Sequence, residues 1–219
     1  MGAGIARAHV AAVQSAGLLR IVKGLVVSPL VGFILAFVVK IAIFWLARRR
    51  QPARMNRIFR RLQMVSAGLM AVAHGSNDAQ KTMGVITMSL VADGAIAGGQ
   101  EKLAVPLRVK LACAVAMAAG GVRIIKTMGT KIIDLKPIHG FAAETSAAIT
   151  ILTGSFLGMP VSTTHVITGC IMGAGASQRV SAVRWGVTTR IFYAWILTIP
   201  VSAAISWLCY KGLHGPLGE

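Results

Sequence analysis

Acidic residues are scarce in this chain: 6 Asp and Glu stand against 23 Lys and Arg in 219 residues, a formal charge of +17. Charge of either sign is also thin, at 13% of residues, about half the ~25% usual for a soluble domain. Aromatics make up only 6% and none interleaves with the basic cluster, and no zinc-finger or RNP-type motif is present. The positive charge therefore does not read as a nucleic-acid surface, and no nucleic-acid partner is expected. Cysteine is limited to Cys113, Cys170 and Cys209, far apart in apolar runs with no Cys-x-x-Cys or Cys/His spacing. They read as small buried hydrophobes. A signal-peptide pattern is missing as well: Met1 to Gly17 is rich in Ala and Gly, without a long apolar core or clear cleavage context.

What is abundant is apolar sequence. Hydrophobic residues reach 55% and the mean hydropathy is +0.71. Several apolar runs of about 20 residues follow one another, which predicts an all-α, multi-pass protein of the plasma (inner) membrane. Residues 1–23, with Arg7, Arg20 and Lys23, form a mildly basic lead-in suited to a short interfacial helix. The membrane domain then extends over 24–210. Its first span is Gly24 to Ala47, with Ser28-Pro29 suited to a helix start and Lys40 placed to snorkel from its later half. Between Arg48 and Arg61 lie seven arginines in 14 residues and no acid. That loop is expected to be cytoplasmic, a topology signal that also attracts anionic lipid.

The segment 62–92 then runs outward to a Gly-rich turn, Asp93 to Lys102. Residues 104–125 return, and their small-residue run Ala112 to Gly121 lets helices approach closely. Residues 187–209 cross outward again, leaving the tail 211–219, and with it the C-terminus, outside. Residues 141–175 fit no ordinary crossing. Two apolar pieces, each short for a span, flank Met159-Pro160-Val161-Ser162-Thr163-Thr164-His165, and both ends of the segment are basic. Length and charge together predict a re-entrant helical hairpin with its tip at 160–165. The expected architecture is about four crossing helices plus this hairpin.

The span 62–92 carries a polar island, Ala73-His74-Gly75-Ser76-Asn77-Asp78-Ala79-Gln80-Lys81-Thr82-Met83-Gly84. Charges at that depth cost several kcal/mol against lipid, so they must face a cavity, a partner or an ion. Gly75 and the cap-forming Ser76-Asn77-Asp78 predict a break in the helix. Two half-helices meeting near the midplane are a common way to build a transporter's substrate site. Asp78 accepts hydrogen bonds only, which suits Na⁺ or a carried proton. Asn77 offers a donor and an acceptor, and Gln80, Lys81 and Thr82 would occupy the first turn after the break. Lys81 either neutralises Asp78, contacts an anion, or pairs with Asp78 to hold the break shut.

At the hairpin tip, Ser162, Thr163 or Thr164 can cap the following helix. Such a cap leaves backbone N–H groups and a positive dipole end that suit a tetrahedral oxyanion; the plainer alternative is an ordinary capped membrane helix. Glu144, the one acid of the hairpin, is either a proton or cation carrier or an N-terminal dipole partner of its arm. His74 and His165 flank the two polar segments and read as hydrogen-bonded rather than ligating.

At these residues the chain resembles the PiT family of inorganic phosphate transporters. The likeness rests on His74 to Thr82, on Gly140-Phe141-Ala142-Ala143-Glu144-Thr145-Ser146-Ala147 and on Pro160-Val161-Ser162-Thr163-Thr164-His165, in the family's order, and extends from about residue 20 to 212. It implies symport of phosphate with H⁺ or Na⁺ and a fold of two inverted repeats, with no cofactor beyond the transported species. By that matching Asn77, Asp78 and the 162–164 tip contribute to the ion and phosphate site, and Glu144 matches an acid associated with phosphate transport. The family carries two such sets and this chain one, so the resemblance is to the C-terminal half. The other repeat then belongs either to a partner chain or to a part lost by truncation, and a homo-oligomer is an open alternative. Rival functions are a sulfate permease of the same architecture, a non-transporting half-subunit, and an intramembrane metalloenzyme using His74, Asp78 and Glu144. The last lacks a His-Glu-x-x-His pattern or second ligand pair, and an enzyme is not expected.

Overall fold

The computed structural model describes residues 15–49, 51–94, 105–116, 136–159 and 161–217. Every regular element among them is helical: α1 (Ser15–Ala47), α2 (Pro52–Ala92), α3 (107–116), α4 (Pro137–Phe156), α5 (Thr163–Ala176), a short 3₁₀ turn (Val180–Ala182) and α6 (Trp185–Leu217). The body is a hairpin of α4 and α5 held between two long helices. α1 lies along α5 and α4, α2 lies along α4, and α1 and α2 pack on the hairpin rather than on each other.

Small residues permit this arrangement. Gly169 and Gly173, one turn apart on α5, face the backbone of α1, where an added Cβ would strike the carbonyl oxygens of Pro29 and Phe33. Gly32 of α1 returns the fit, since a Cβ there would lie 2.9 Å from Cys170 Sγ. This is the small-xxx-small contact by which membrane helices gain dispersion energy without a hydrophobic driving force. The interior is correspondingly alanine-rich, with Ala36, Ala142, Ala143, Ala147 and Ala174 at most 1% exposed around Ile151 and Val166.

Proline and glycine place the ends. Pro52 and Pro137 open α2 and α4 at positions whose N–H would have no intrahelical partner. α4 closes on Gly158 at φ 63°: the Met159 amide donates to Gly154 O (2.9 Å) and the Gly158 amide to Ser155 O (3.1 Å). That paired 6→1 and 5→2 arrangement with a left-handed glycine is a Schellman cap, and it turns the chain toward Ser162. Ser162 then sits extended at the N-cap of α5 and accepts from the His165 amide (3.5 Å). The hairpin expected at 141–175 is thus present as a helix–turn–helix.

Four expectations need correction. First, α2 is one unbroken helix of 41 residues, and the polar island 74–82 lies inside it. Gly75 is not among the described glycines at positive φ, which are Gly94 and Gly158, and the island's polar side chains bond to the hairpin instead of capping their own helix. Second, α1 runs from Ser15 without interruption at 23, and Pro29 lies within it rather than at its start. Third, Lys40 is buried at 7% exposure instead of snorkelling outward, and Cys209 is exposed. Fourth, the expected span 62–92 within α2 does not reach the apolarity of a crossing helix; among the described residues the helices that do are Ile21–Ala47 (mean hydropathy 2.6) and Trp185–Gly212 (1.7). Polar residues spread along α2, Gln63, His74, Asn77, Asp78, Gln80 and Lys81 among them, keep it out of that set. Only 105–116 of the expected span 104–125 falls among the described residues, and much of the outer turn 93–102 falls outside them.

Gly173→Ala is expected to destabilise the protein by about 1–3 kcal/mol, because its methyl meets the backbone of α1 and not a side chain that can swing away. Gly68→Ala, with open space around the added carbon, should be neutral or stabilising by up to about 1 kcal/mol. Unfolding of both variants in mixed micelles checks the contrast, and equal effects would refute the close approach.

Candidate functional site

The two polar segments meet although they lie about 85 residues apart in sequence. Thr163, 2% exposed at the first position of α5, donates its hydroxyl to Asp78 Oδ2 at 3.1 Å. Lys81 Nζ donates to the Val161 carbonyl oxygen at 2.8 Å, and Asn77 Nδ2 donates to Ser155 Oγ at 2.8 Å. Helical spacing makes this possible, since Asn77, Asp78 and Lys81 share a face at i, i+1 and i+4. Asn77 meets the end of α4, Asp78 the start of α5, and Lys81 the turn between them.

Asp78 is the centre of charge. Lys81 Nζ stands 3.4 Å from Oδ1 and His74 Nε2 3.5 Å from Oδ2, with the carboxylate one-third exposed and the lysine half exposed. Pairs that open are worth about 0–1 kcal/mol each, so the ion pair orients more than it stabilises. Around it lies a cavity of about 310 Å³ lined by Asp78, Lys81, Val161, Ser162, Thr163 and Thr164, with Ile21 and Leu25 of α1 opposite. A liquid water occupies ≈ 30 Å³, so there is room for a tetrahedral oxyanion and its solvent. The first bond within α5 that reaches back to the cap runs from the Val166 amide to Ser162 O (3.0 Å). The Thr163 and Thr164 amides precede it and have no intrahelical acceptor, which makes them donors for an anion. Buried beside the site, Asn77 Oδ1 has no hydrogen-bond partner among the described residues; a carbonyl oxygen left over next to a carboxylate suits a hard cation.

The structure therefore gathers Asp78, Lys81, Ser162, Thr163 and Thr164 around one cavity, with Asn77 alongside. Gln80 and Thr82 do not line it: both are exposed, and Thr82 donates back to the Asp78 carbonyl oxygen (3.1 Å). Glu144 lies elsewhere. Its carboxylate accepts from the Ser66 hydroxyl at 2.5 Å and from the Gln63 side chain. Ser66 precedes Asp78 by 12 residues on α2, about 18 Å at 1.5 Å per residue. Glu144 is also in the second turn of α4, fixed by α2 side chains rather than by the helix end. Among the described residues no group of three or more His, Cys, Asp and Glu could hold a metal ion.

Sequence reasoning passed over Gln63, Ser66, Ser155 and the Val161 carbonyl, and also over the setting of His165. That ring hydrogen-bonds the Leu25 backbone and stacks on Trp195 with centroids 3.7 Å apart. Pro29, four residues on, has no N–H to offer the Leu25 carbonyl, and this proline was the available signal.

The family described as "Phosphate transporter family" matches residues 1–206. The chain is 47% identical over 214 residues to a Rhizobium meliloti protein named "Probable low-affinity inorganic phosphate transporter", covering 96% of this chain and 63% of that protein. A Bacillus subtilis protein of the same name is 39% identical over 213 residues, covering 95% and 63%. The chain thus spans less than two thirds of the length of these relatives. A solved structure titled "The sodium-dependent phosphate transporter" superposes with a TM-score of 0.81 at 24% identity, covering 97% of this chain and 70% of that one. At that identity the likeness is one of fold.

Thr163→Val should cost about 1 kcal/mol, below the 1.5–3 range for hydrogen bonds to charged groups because Asp78 is partly solvated. In a double-mutant cycle with Asp78→Asn the two changes should couple by at least about 0.5 kcal/mol. Strict additivity in reversible unfolding would mean that the hydroxyl and the carboxylate do not interact.

Proposed function

The chain belongs to the Phosphate transporter family, a family of membrane proteins, and from that premise we propose that it carries one of two inverted repeats of a phosphate:cation symporter. The observation that carries this reading is the Thr163–Asp78 hydrogen bond, which puts a hydroxyl-bearing helix N-terminus and a carboxylate on one cavity. In the proposed mechanism phosphate is held by the Thr163 and Thr164 amides and by the Ser162 and Thr164 hydroxyls, while the Thr163 hydroxyl, which donates to Asp78, accepts from a protonated phosphate oxygen. Lys81 supplies positive charge at the rim. Asp78 and the free Asn77 Oδ1 take the coupling cation, Na⁺ or H⁺. Binding the anion and the cation on adjoining atoms lowers the cost of each, which is the physical basis of symport.

Glu144 serves in this scheme as a second station for a proton or cation, separate from the phosphate shell. The Arg48–Arg61 loop is cytoplasmic by its charge and the C-terminus faces outward. The second repeat, in the same polypeptide or in a partner chain, completes the site. Phosphate is preferred to sulfate because it still carries a proton at neutral pH and can donate to Asp78, where sulfate places only lone pairs against a carboxylate.

Radiolabelled phosphate uptake into proteoliposomes containing this chain together with the complementary repeat tests the proposal. Asp78→Asn is expected to reduce uptake at least ten-fold, a change of about 1.4 kcal/mol. Unlabelled phosphate should compete and sulfate should not. Uptake indifferent to Asp78→Asn removes the carboxylate from the transport cycle, and equal competition by sulfate removes the proton-donor argument. Glu144→Gln should lower the maximal rate several-fold while leaving the phosphate concentration for half-maximal uptake within about two-fold, since Glu144 lies about 18 Å along α2 from Asp78.

A further inference from the structure

The opening turns of α2 carry a second pattern that the transport site does not use. Met55, Ile58, Phe59 and Leu62 fall at i, i+3, i+4 and i+7, an apolar stripe, while Arg54, Arg57 and Arg61 line a neighbouring face. Because α1 and α2 pack on α4 rather than on each other, a cleft opens between the end of α1 and the start of α2. It encloses about 460 Å³, within the ~300–1,000 Å³ of ligand pockets. Its walls are Leu46, Ile58, Phe59 and Leu62, with Phe141 of α4 as the floor, 5.5 Å from Phe59 between ring centroids. Among the described residues Arg54 is the one charged residue on its lining.

The electrostatics at its mouth are of one sign. Arg48, Arg49, Arg54, Arg57, Arg60 and Arg61 are exposed, and among the described residues none forms an ion pair with a carboxylate. Arg48 instead lies over the Trp45 ring, 4.3 Å from its centroid. The apolar span Ile21–Ala47 ends on the lining of this cleft, so in a bilayer crossed by that helix the cleft would sit where hydrocarbon gives way to headgroups. A basic rim over an apolar slot at that depth matches a ligand with an anionic head and a hydrocarbon tail.

We propose that this cleft binds one anionic phospholipid, with an acyl chain between Ile58 and Phe141 and its phosphate on Arg54. Arginine suits that contact, since its planar fork can meet two phosphate oxygens at once. The diffuse attraction of a basic loop for an anionic leaflet would need no pocket; a fitted lipid would. The proposal requires the protein to be embedded in a bilayer and is independent of what it transports.

The test is native mass spectrometry of the full chain in detergent, with equal amounts of phosphatidylglycerol and phosphatidylcholine of matched acyl chains. One phosphatidylglycerol per chain should be retained, at least about five-fold over phosphatidylcholine, the discrimination one basic residue provides at an anionic surface. Arg54→Gln should erase most of that preference. Ile58→Trp, which fills the slot and keeps every arginine, should lower retention of phosphatidylglycerol, and millimolar inorganic phosphate should not displace it. Equal retention of the two lipids overturns the proposal, as does binding unaffected by Ile58→Trp or displaced by inorganic phosphate. A lipid-free dimer abolished by Ile58→Trp would assign the cleft to a second copy and equally overturn it. Should Ile58→Trp fail to fold, the Arg54→Gln comparison alone decides.

Discussion

A carboxylate on a helix in a largely apolar protein must be given partners, and here the partner comes from the other end of the chain. Thr163 reaches Asp78 across 85 positions of sequence, and that contact decides where α2 lies relative to the hairpin. Lys81 on Val161 and Asn77 on Ser155 extend it by one bond to either side. Each bond alone is worth about 1 kcal/mol. Together they fix rotation and register, because a helix turned by one residue, 100°, would carry all three side chains away at once. The polar face of α2 is thus met by the hairpin turn, while Asn77 Oδ1 and the Thr163 and Thr164 amides stay available to a ligand.

The other side of the hairpin is held by shape. Gly169 and Gly173 bring α5 against the backbone of α1 at Pro29 and Phe33, and this is where α1 carries its internal proline. Pro29 frees the Leu25 carbonyl, His165 fills the vacancy, and the ring then stacks on Trp195 of α6. A proline in one helix is accommodated by a histidine of the second and covered by an indole of the third. α6 otherwise stands apart, with none of its most apolar stretch buried. Such exposure is normal for a helix whose solvent is hydrocarbon.

Much of this was legible from the amino-acid sequence, and the misses share one physical cause. The hairpin could be read because its signals are local: two short apolar pieces, a proline, and hydroxyls that can cap. The polar island 74–82 could be singled out as a candidate site because charge is costly at membrane depth. Its conformation was misread, since Gly75 and Ser76-Asn77-Asp78 resemble a helix cap only while their side chains are free to bond their own backbone. Once Ser155, Val161 and Thr163 claim Asn77, Lys81 and Asp78, continuing the helix satisfies more groups than breaking it. Local propensity lost to tertiary partners. The separation of Glu144 from Asp78 was invisible for a similar reason: it depends on how α2 lies along α4, which is carried by Ser66 and Gln63, two polar residues that look incidental in a row of apolar ones.

An unbroken α2 also changes the charge balance of the site. Two half-helices would have aimed a dipole end at the substrate from the 74–82 segment as well as from the hairpin, each equivalent to roughly +0.5 charge. With α2 continuous only the N-terminus of α5 contributes. Lys81 and Asp78 are formally equal and opposite, so what this chain presents to an oxyanion is about half a unit of positive charge plus hydrogen-bond donors. A doubly charged phosphate that gives up part of its hydration in this partly open cavity needs more than that. A second hairpin from the other repeat would add another helix N-terminus, and a cation at Asp78 and Asn77 would release Lys81 to face the anion. Under the proposed symport, coupling of phosphate to a cation would follow from the site's own charge deficit, because the anion would bind favourably only together with its escort.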